Sequence, residues 1–276
     1  MSMDIFQAII LGIVQGIAEF LPISSSAHLR IVQAFLGWPD TGAAVTAIMQ
    51  LGTLFTVLIF FRRDLTNISQ EFFKGLRSGR PFNSQHARLA WFLGLGTIPL
   101  ALCGLLFKDF IKSEARSLWI IAGSLIILSL ILAIAEATAA RRKELGDVGW
   151  GEGMAVGAAQ ALALIPGSSR SGTTLTAALF AGMTREAAAR YSFLLSVPAV
   201  SLSGIYSLWE IRHELSTINM PAVLVATGVS FVVGYASIAL LMRYLRTHST
   251  HIFIAYRIIL GIILIALLWA GMLKSH

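Results

Sequence analysis

The sequence predicts an all-α, polytopic membrane protein. Six transmembrane helices and two re-entrant helical hairpins are expected, arranged as an inverted-topology repeat. Three observations predict it. Of 276 residues, 56% are hydrophobic and only 13% are charged, with a mean hydropathy of +0.77; a soluble domain carries about 25% charged residues. Several apolar runs approach the roughly 20 residues that a helix needs to cross a bilayer. Finally, two stretches look like copies of each other, and each sets a polar cluster inside hydrophobic sequence.

The copies begin Gly12-Ile-Val-Gln15 and Gly157-Ala-Ala-Gln160, 145 positions apart, and Pro22, Ser24 and Ser25 fall on Pro166, Ser168 and Ser169 at a shift of 144. The first belongs to a hairpin over 4–36. Its opening helix, 4–21, is stopped by Pro22, because the residue before a proline avoids the helical region. Its return helix, 24–36, is only about 20 Å long at 1.5 Å per residue. Spans follow at 44–61, 89–107 and 117–137, then a second hairpin over 152–184 and spans at 190–209, 220–242 and 252–272. All are read as helices, since lipid offers no partner to an open strand edge. The whole of 1–276 is expected to form a single integral membrane domain with repeats of approximately 1–137 and 150–276.

Basic residues set the orientation. Segment 62–88, read as a loop, holds Arg62, Arg63, Lys74, Arg77, Arg80 and Arg88; segment 138–152 holds Arg141, Arg142 and Lys143; the turn 243–251 holds Arg243 and Arg246. The alternate connections are poorer, with Lys108, Lys112 and Arg116 in one, Arg212 in the next and Lys274 at the end. The three richer segments are therefore expected in the cytoplasm. Three crossings then separate the hairpins, so the halves have opposite orientation, with the polar breaks near mid-depth. The first hairpin would enter from outside and the second from the cytoplasm. On this reading the net charge of +7 reports topology, and no nucleic-acid partner is expected. Cys103, the only cysteine, excludes an intrachain disulfide and a cysteine-based metal cluster.

Polar groups at membrane depth are costly, which makes the two breaks candidate functional sites. In the first, Gln15 and Glu19 stand four residues apart and share a helix face. Ser24 is a good N-cap for a helix starting near Ser25, and His28 lies one turn on, so Ser24, Ser25 and Ser26 converge with a carboxylate, an amide and an imidazole. The second break, Pro166-Gly167-Ser168-Ser169-Arg170-Ser171-Gly172-Thr173-Thr174, has the make-up of an anion cradle. Glycine allows close backbone approach, helix N-terminal amides favour negative charge, and Arg170 adds a donor fork suited to phosphate. Ser168, Ser169, Ser171, Thr173 and Thr174 contribute hydroxyls. No GK[ST] follows the glycine, so ATP use is not indicated. Glu136, Arg190 and Arg257 fall at expected span ends, where snorkelling or structural pairing is the better reading. Arg30 reads evenly between structure and site.

These motifs resemble a known family. Gln15-x-x-x-Glu19 resembles its (E/Q)xxxE element, Ser24-Ser25-Ser26-Ala27-His28 follows at the family's spacing, and Pro166 to Thr174 resembles its PGxSRSxxT element. The resemblance, which extends to Gln50-Leu51-Gly52, Gly96-Thr97-Ile98-Pro99 and Tyr256-Arg257, is to undecaprenyl-diphosphate phosphatases, the bacitracin-resistance proteins. It implies a bacterial inner-membrane hydrolase with interdigitated inverted repeats that recycles the lipid carrier of peptidoglycan synthesis, acts on the periplasmic side, forms a homodimer and needs Mg²⁺ or Ca²⁺. By motif match, Glu19, Ser25, His28 and Arg170 take catalytic or phosphate-binding places. Two positions vary: Gln15 is neutral where the family often has Glu, and Ala27 replaces a common glycine.

A metal would be expected at Glu19, with Gln15 as a weaker oxygen ligand, and Ser24, Ser26, Gly167, Ser168, Ser169, Ser171, Thr173 and Thr174 would bind phosphate. Three nucleophiles stay open at this point: Ser25, His28 or a water activated by Glu19. A lipid-phosphate transporter or flippase is the alternative function, because inverted repeats with broken helices are also a transporter signature.

Overall fold

A computed structural model describes residues 3–112, 117–210, 212, 218–273 and 275. Arg116 and Lys274, counted in the charge balance above, lie outside the described residues. The described residues are mostly helical, with 3-10 turns at Leu145–Asp147 and Gln160–Leu164 and one isolated bridge between Lys143 and Met183.

The first hairpin is built as its sequence dictates. Helix α1 (Ile5–Phe20) starts from a capping box in which Asp4 accepts from the Gln7 amide and Gln7 reaches back to the Asp4 amide. It stops at Leu21, which is extended ahead of Pro22, as pre-proline sterics require. Helix α2 (Ser25–Phe35) follows from an N-cap at Ser24. Helix α3 (Gly42–Phe60) is about 28 Å long at 1.5 Å per residue and covers the first expected span.

The basic segment 62–88 departs from expectation. Its first 16 residues are helix α4 (Arg62–Arg77), bent 77° from α3. The helix holds because Ile68 and Gly75, seven residues apart on one face, are buried while its basic residues stay outside. Next come α5 (Gln85–Leu106), the short α6 (Lys108–Lys112) and α7 (Leu118–Thr138).

The second hairpin holds α8 (Trp150–Ala159), the 3-10 turn and α9 (Arg170–Phe180). Three long helices complete the chain: α10 (Arg185–Glu210), α11 (Met220–Leu245) and α12 (His251–Trp269). Helices α5, α7, α10, α11 and α12 are each long and apolar enough to cross a bilayer, and α3 with α4, bent at their junction, meets the same criterion only as a pair. Their outward faces carry residues such as Leu102, Ile127, Ile205, Leu240 and Ile262, apolar surface suited to lipid tails. The chain is an all-α polytopic membrane protein.

Packing interleaves the two halves of the sequence. Helix α1 lies along α11, α5 along α8, α3 between α10 and α11, and α7 against α12. Small residues permit these approaches, as is usual in membranes. A Cβ on Gly12 of α1 would stand 2.6 Å from the Ala226 carbonyl oxygen of α11, and one on Gly157 of α8 would stand 2.3 Å from Gly96 Cα of α5. At the end of the molecule rich in basic residues, Glu136 is buried and accepts from Arg141, Arg185 and Thr250, while Arg190 pairs with Asp64. Both residues are thus in structural pairs.

Candidate active site

The two breaks meet. Arg170, the first residue of α9, donates from Nη2 to Glu19 Oε1 at 2.8 Å, across 151 residues of sequence. Glu19 sits in the last turn of α1, 6% exposed. Its second oxygen, Oε2, accepts from Ser25 Oγ at 2.6 Å and from Gln15 Nε2 at 2.9 Å. Gln15 and Glu19 share a face, as their spacing requires. Charge-assisted O–H···O⁻ bonds are characteristically this short, so the Ser25 hydroxyl proton is already directed at a carboxylate.

The two breaks use one backbone device. Ser24 has φ 77° and ψ 97°, and its hydroxyl accepts from the Ala27 amide; Ser169 has φ 68° and ψ 111°, and its hydroxyl accepts from the Gly172 amide. Each also contacts the hydroxyl two residues on, Ser24 with Ser26 at 3.2 Å and Ser169 with Ser171 at 3.1 Å. Non-glycine residues rarely hold positive φ, and strain of this kind collects at functional sites. Both 11-residue helices start from these caps.

Arg257 of α12 ties the breaks from behind. It is fully buried, and its guanidinium donates to the carbonyl oxygens of Pro22 at 3.3 Å, Gly167 at 3.1 Å and Ser168 at 3.0 Å. Its position on the sequence suggested a span end and snorkelling or pairing there; instead it lies inside, five positions beyond Ile252, because α12 passes directly behind both breaks. Tyr256-Arg257 appears in the family resemblance, and that was the only sequence signal for it. Gly167 has φ +91°, and a Cβ there would meet the Ile121 carbonyl oxygen of α7 at 2.6 Å. Glycine is required at this point by backbone conformation and by packing on α7 together.

The remaining candidates divide by what their hydroxyls touch. Ser171 Oγ donates to the Leu21 carbonyl at 3.2 Å, a further link between the breaks. Thr173 and Thr174 donate to the Arg170 carbonyl, and Thr174 also meets Ser192 of α10 at 2.5 Å. Ser168 Oγ, Gln15 Oε1 and Arg170 Nη1 are buried with no hydrogen-bond partner. His28 bonds to neither Ser25 nor Glu19: Nδ1 meets the Ser24 carbonyl at 2.7 Å and Nε2 meets the Tyr256 hydroxyl at 2.7 Å. Arg30 is placed structurally, with Nε 3.7 Å from Asp40.

Among the described residues no three His, Cys, Asp or Glu side chains group to hold a metal. The acidic oxygens at the site are those of Glu19 alone, with the unpartnered Gln15 Oε1 on the same helix face. One carboxylate and one amide oxygen are hard donors that suit Mg²⁺ or Ca²⁺ when phosphate oxygens complete the shell.

Comparison with known proteins places the whole chain among similar sequences. A protein named undecaprenyl-diphosphatase from Chloroherpeton thalassium is 54% identical over 282 residues, covering 99% of this chain and all of the relative. One of the same name from Chlorobium phaeobacteroides is 52% identical with the same coverage. Another from Myxococcus xanthus is 50% identical over 275 residues, 99% of this chain and 92% of its own length. Residues 8–263, which include Glu19, Arg170 and Arg257, match the family model described as bacitracin resistance protein BacA, and the chain belongs to that family.

Proposed function

We propose that this protein hydrolyses undecaprenyl diphosphate to undecaprenyl phosphate and inorganic phosphate. The observation that carries the reading is Glu19, whose carboxylate holds the Ser25 hydroxyl of its own break and the Arg170 guanidinium of the other. A nucleophile, its base and an anion-binding fork therefore stand within hydrogen-bond reach of one another, the arrangement that covalent catalysis needs.

The reaction proceeds by serine attack. Ser25 Oγ forms a bond to the terminal phosphorus and gives its proton to Glu19. The bond from that phosphorus to the bridging oxygen breaks, and the departing lipid phosphate takes the proton from Glu19. Water then attacks the phosphoserine, Glu19 accepts a water proton, and Ser25 recovers it as inorganic phosphate leaves. Arg170 compensates charge on the phosphoryl oxygens as it redistributes. Its unpartnered Nη1 is free to bind phosphate while Nη2 stays on Glu19. Mg²⁺ or Ca²⁺, held by Glu19 and Gln15 Oε1, would neutralise charge on the phosphate oxygens. His28 lies outside the Ser25–Glu19 pair, with its ring nitrogens on the Ser24 carbonyl and the Tyr256 hydroxyl.

The family's name supports a role in bacitracin resistance through recycling of the lipid carrier for peptidoglycan. We place the protein in the bacterial inner membrane as a homodimer, with its site open to the periplasmic side. The inverted repeat, approximately 1–137 and 150–276 within one domain, draws support from the matched caps at Ser24 and Ser169. The equivalent glycines Gly12 and Gly157, each pressed on a helix of the other half, support it further.

The test is phosphate release from a polyprenyl diphosphate by the purified protein in detergent with Mg²⁺, for wild type and Ser25→Ala. A transporter needs two compartments and a hydrolase does not. Turnover by wild type and its loss in Ser25→Ala, with labelled phosphate trapped on Ser25, is the expected result. An inert wild type overturns the phosphatase, and near-normal turnover by Ser25→Ala overturns serine attack.

A further inference from the structure

We propose that Tyr256 is a positioning residue for the reaction, which holds the orientation of the His28 ring. The hydrogen-bond geometry determines how. A backbone carbonyl only accepts, so the 2.7 Å contact between His28 Nδ1 and the Ser24 oxygen requires a proton on Nδ1. In the neutral imidazole this leaves Nε2 a bare acceptor, for which the Tyr256 hydroxyl, 2.7 Å away, is the donor. The rings stack with centroids 5.6 Å apart and planes at 13°. Both ring nitrogens are thus engaged, one by the cap residue of the first break and one by a helix from the far end of the chain, 228 residues on.

The surroundings show why the tyrosine is there. Tyr256 is 43% exposed and lies on the outward stripe of α12 with Ile252, Ile259 and Ile263, spaced as one helix face. This is the bilayer side, where a tyrosine hydroxyl costs free energy without a partner. Arg257, the next residue, turns inward to Pro22, Gly167 and Ser168. One dipeptide therefore anchors the backbone of both breaks from inside and orients His28 from the lipid edge. Through His28 the tyrosine steadies the Ser24 carbonyl, one residue before Ser25, whose hydroxyl bonds to Glu19.

The turnover consequence rests on the phosphatase reading; the hydrogen bond to His28 does not. The experiment compares wild type, Tyr256→Phe, His28→Asn and the double variant. Phenylalanine keeps the ring stack and removes only the hydroxyl. Losing one hydrogen bond worth roughly 1 kcal/mol predicts about a five-fold fall in kcat for Tyr256→Phe with KM nearly unchanged. His28→Asn should mask it, so that the double variant is no slower than His28→Asn alone. Side-chain ¹⁵N NMR, with the His28 signals identified by their loss in His28→Asn, should show protonated Nδ1 and bare Nε2 in wild type, and an Nε2 signal displaced by loss of its donor in Tyr256→Phe. A wild type without turnover removes the phosphatase reading and leaves the hydrogen bond to the NMR. An unaltered Nε2 signal in Tyr256→Phe overturns the proposal, as do wild-type kinetics in that variant or an additive double variant.

Discussion

Arg170 Nη2 stands 2.8 Å from Glu19 Oε1, and this single ion pair closes a gap of 151 residues. The side chains are 13% and 4% exposed, so both charges have largely left water. Burying a charge is tolerated when its partner and further hydrogen bonds are in place. Glu19 has both, with Ser25 and Gln15 on its second oxygen. Arg170 keeps one fork nitrogen unsatisfied, the deficit an anionic phosphoryl group would fill.

The pair should be energetically coupled. Removing one partner of a buried pair costs about 3–5 kcal/mol because the other charge is stranded. Glu19→Gln and Arg170→Met should each lower the melting temperature in detergent, and the double variant should fall by much less than the sum. Each single change should also cut turnover by about 10²–10³-fold, the usual loss when a group stabilising the transition state is removed. Additive melting shifts would mean that the two residues do not interact.

Ser24 and Ser169 offer a sharper stability test, because each combines a cap with positive φ. Replacement by alanine loses the cap and keeps the strained backbone, at about 1 kcal/mol. Replacement by glycine loses the side-chain bond but relieves φ, so it should cost only a few tenths, roughly. At both positions the melting order should be serine, then glycine close behind, then alanine. Alanine matching serine would show that neither hydroxyl caps its helix.

Much of this was legible in the sequence because it is local. Hydropathy marks spans wherever a helix is apolar over its whole length, and Pro22 and Ser24 carry their own stop and cap chemistry. Gln15 and Glu19 meet simply because they are four residues apart. The bend between α3 and α4 was not legible: basic residues dominate 62–77, and only burial of Ile68 and Gly75 shows that the segment is helical. Arg257 was misplaced because distance from a span end does not say what passes behind the helix. Tyr256 meeting His28 is a contact over 228 residues with no local pattern to announce it.

Close helix contacts give a third prediction. Gly157→Ala would force a Cβ to 2.3 Å from Gly96 Cα and 2.8 Å from its carbonyl oxygen. Backbone cannot rotate away as a side chain can, so α5 and α8 must separate, at about 1–3 kcal/mol. Gly123 in α7 has open space where its Cβ would stand, and Gly123→Ala should stabilise by up to about 1 kcal/mol through helix propensity. Melting curves should move in opposite directions for the two variants. Equal shifts would mean that the α5–α8 approach is looser than the glycines indicate.

Arg257 should be needed for geometry and charge together. Lysine keeps the charge, but its single ammonium cannot reproduce a planar fork on three carbonyl oxygens. Arg257→Lys should therefore let the breaks drift, and misplacement near 1 Å costs about 10²-fold in turnover. Gly172 provides the control. A Cβ there would stand 2.9 Å from Arg257 Nη1 and 3.1 Å from Ser169 Cβ, so Gly172→Ala must displace Nη1, the nitrogen that donates to Pro22. It should slow turnover as Arg257→Lys does, and combining the two should add little, since both remove one contact set. A double variant with multiplied losses would separate the effects and refute a shared clamp.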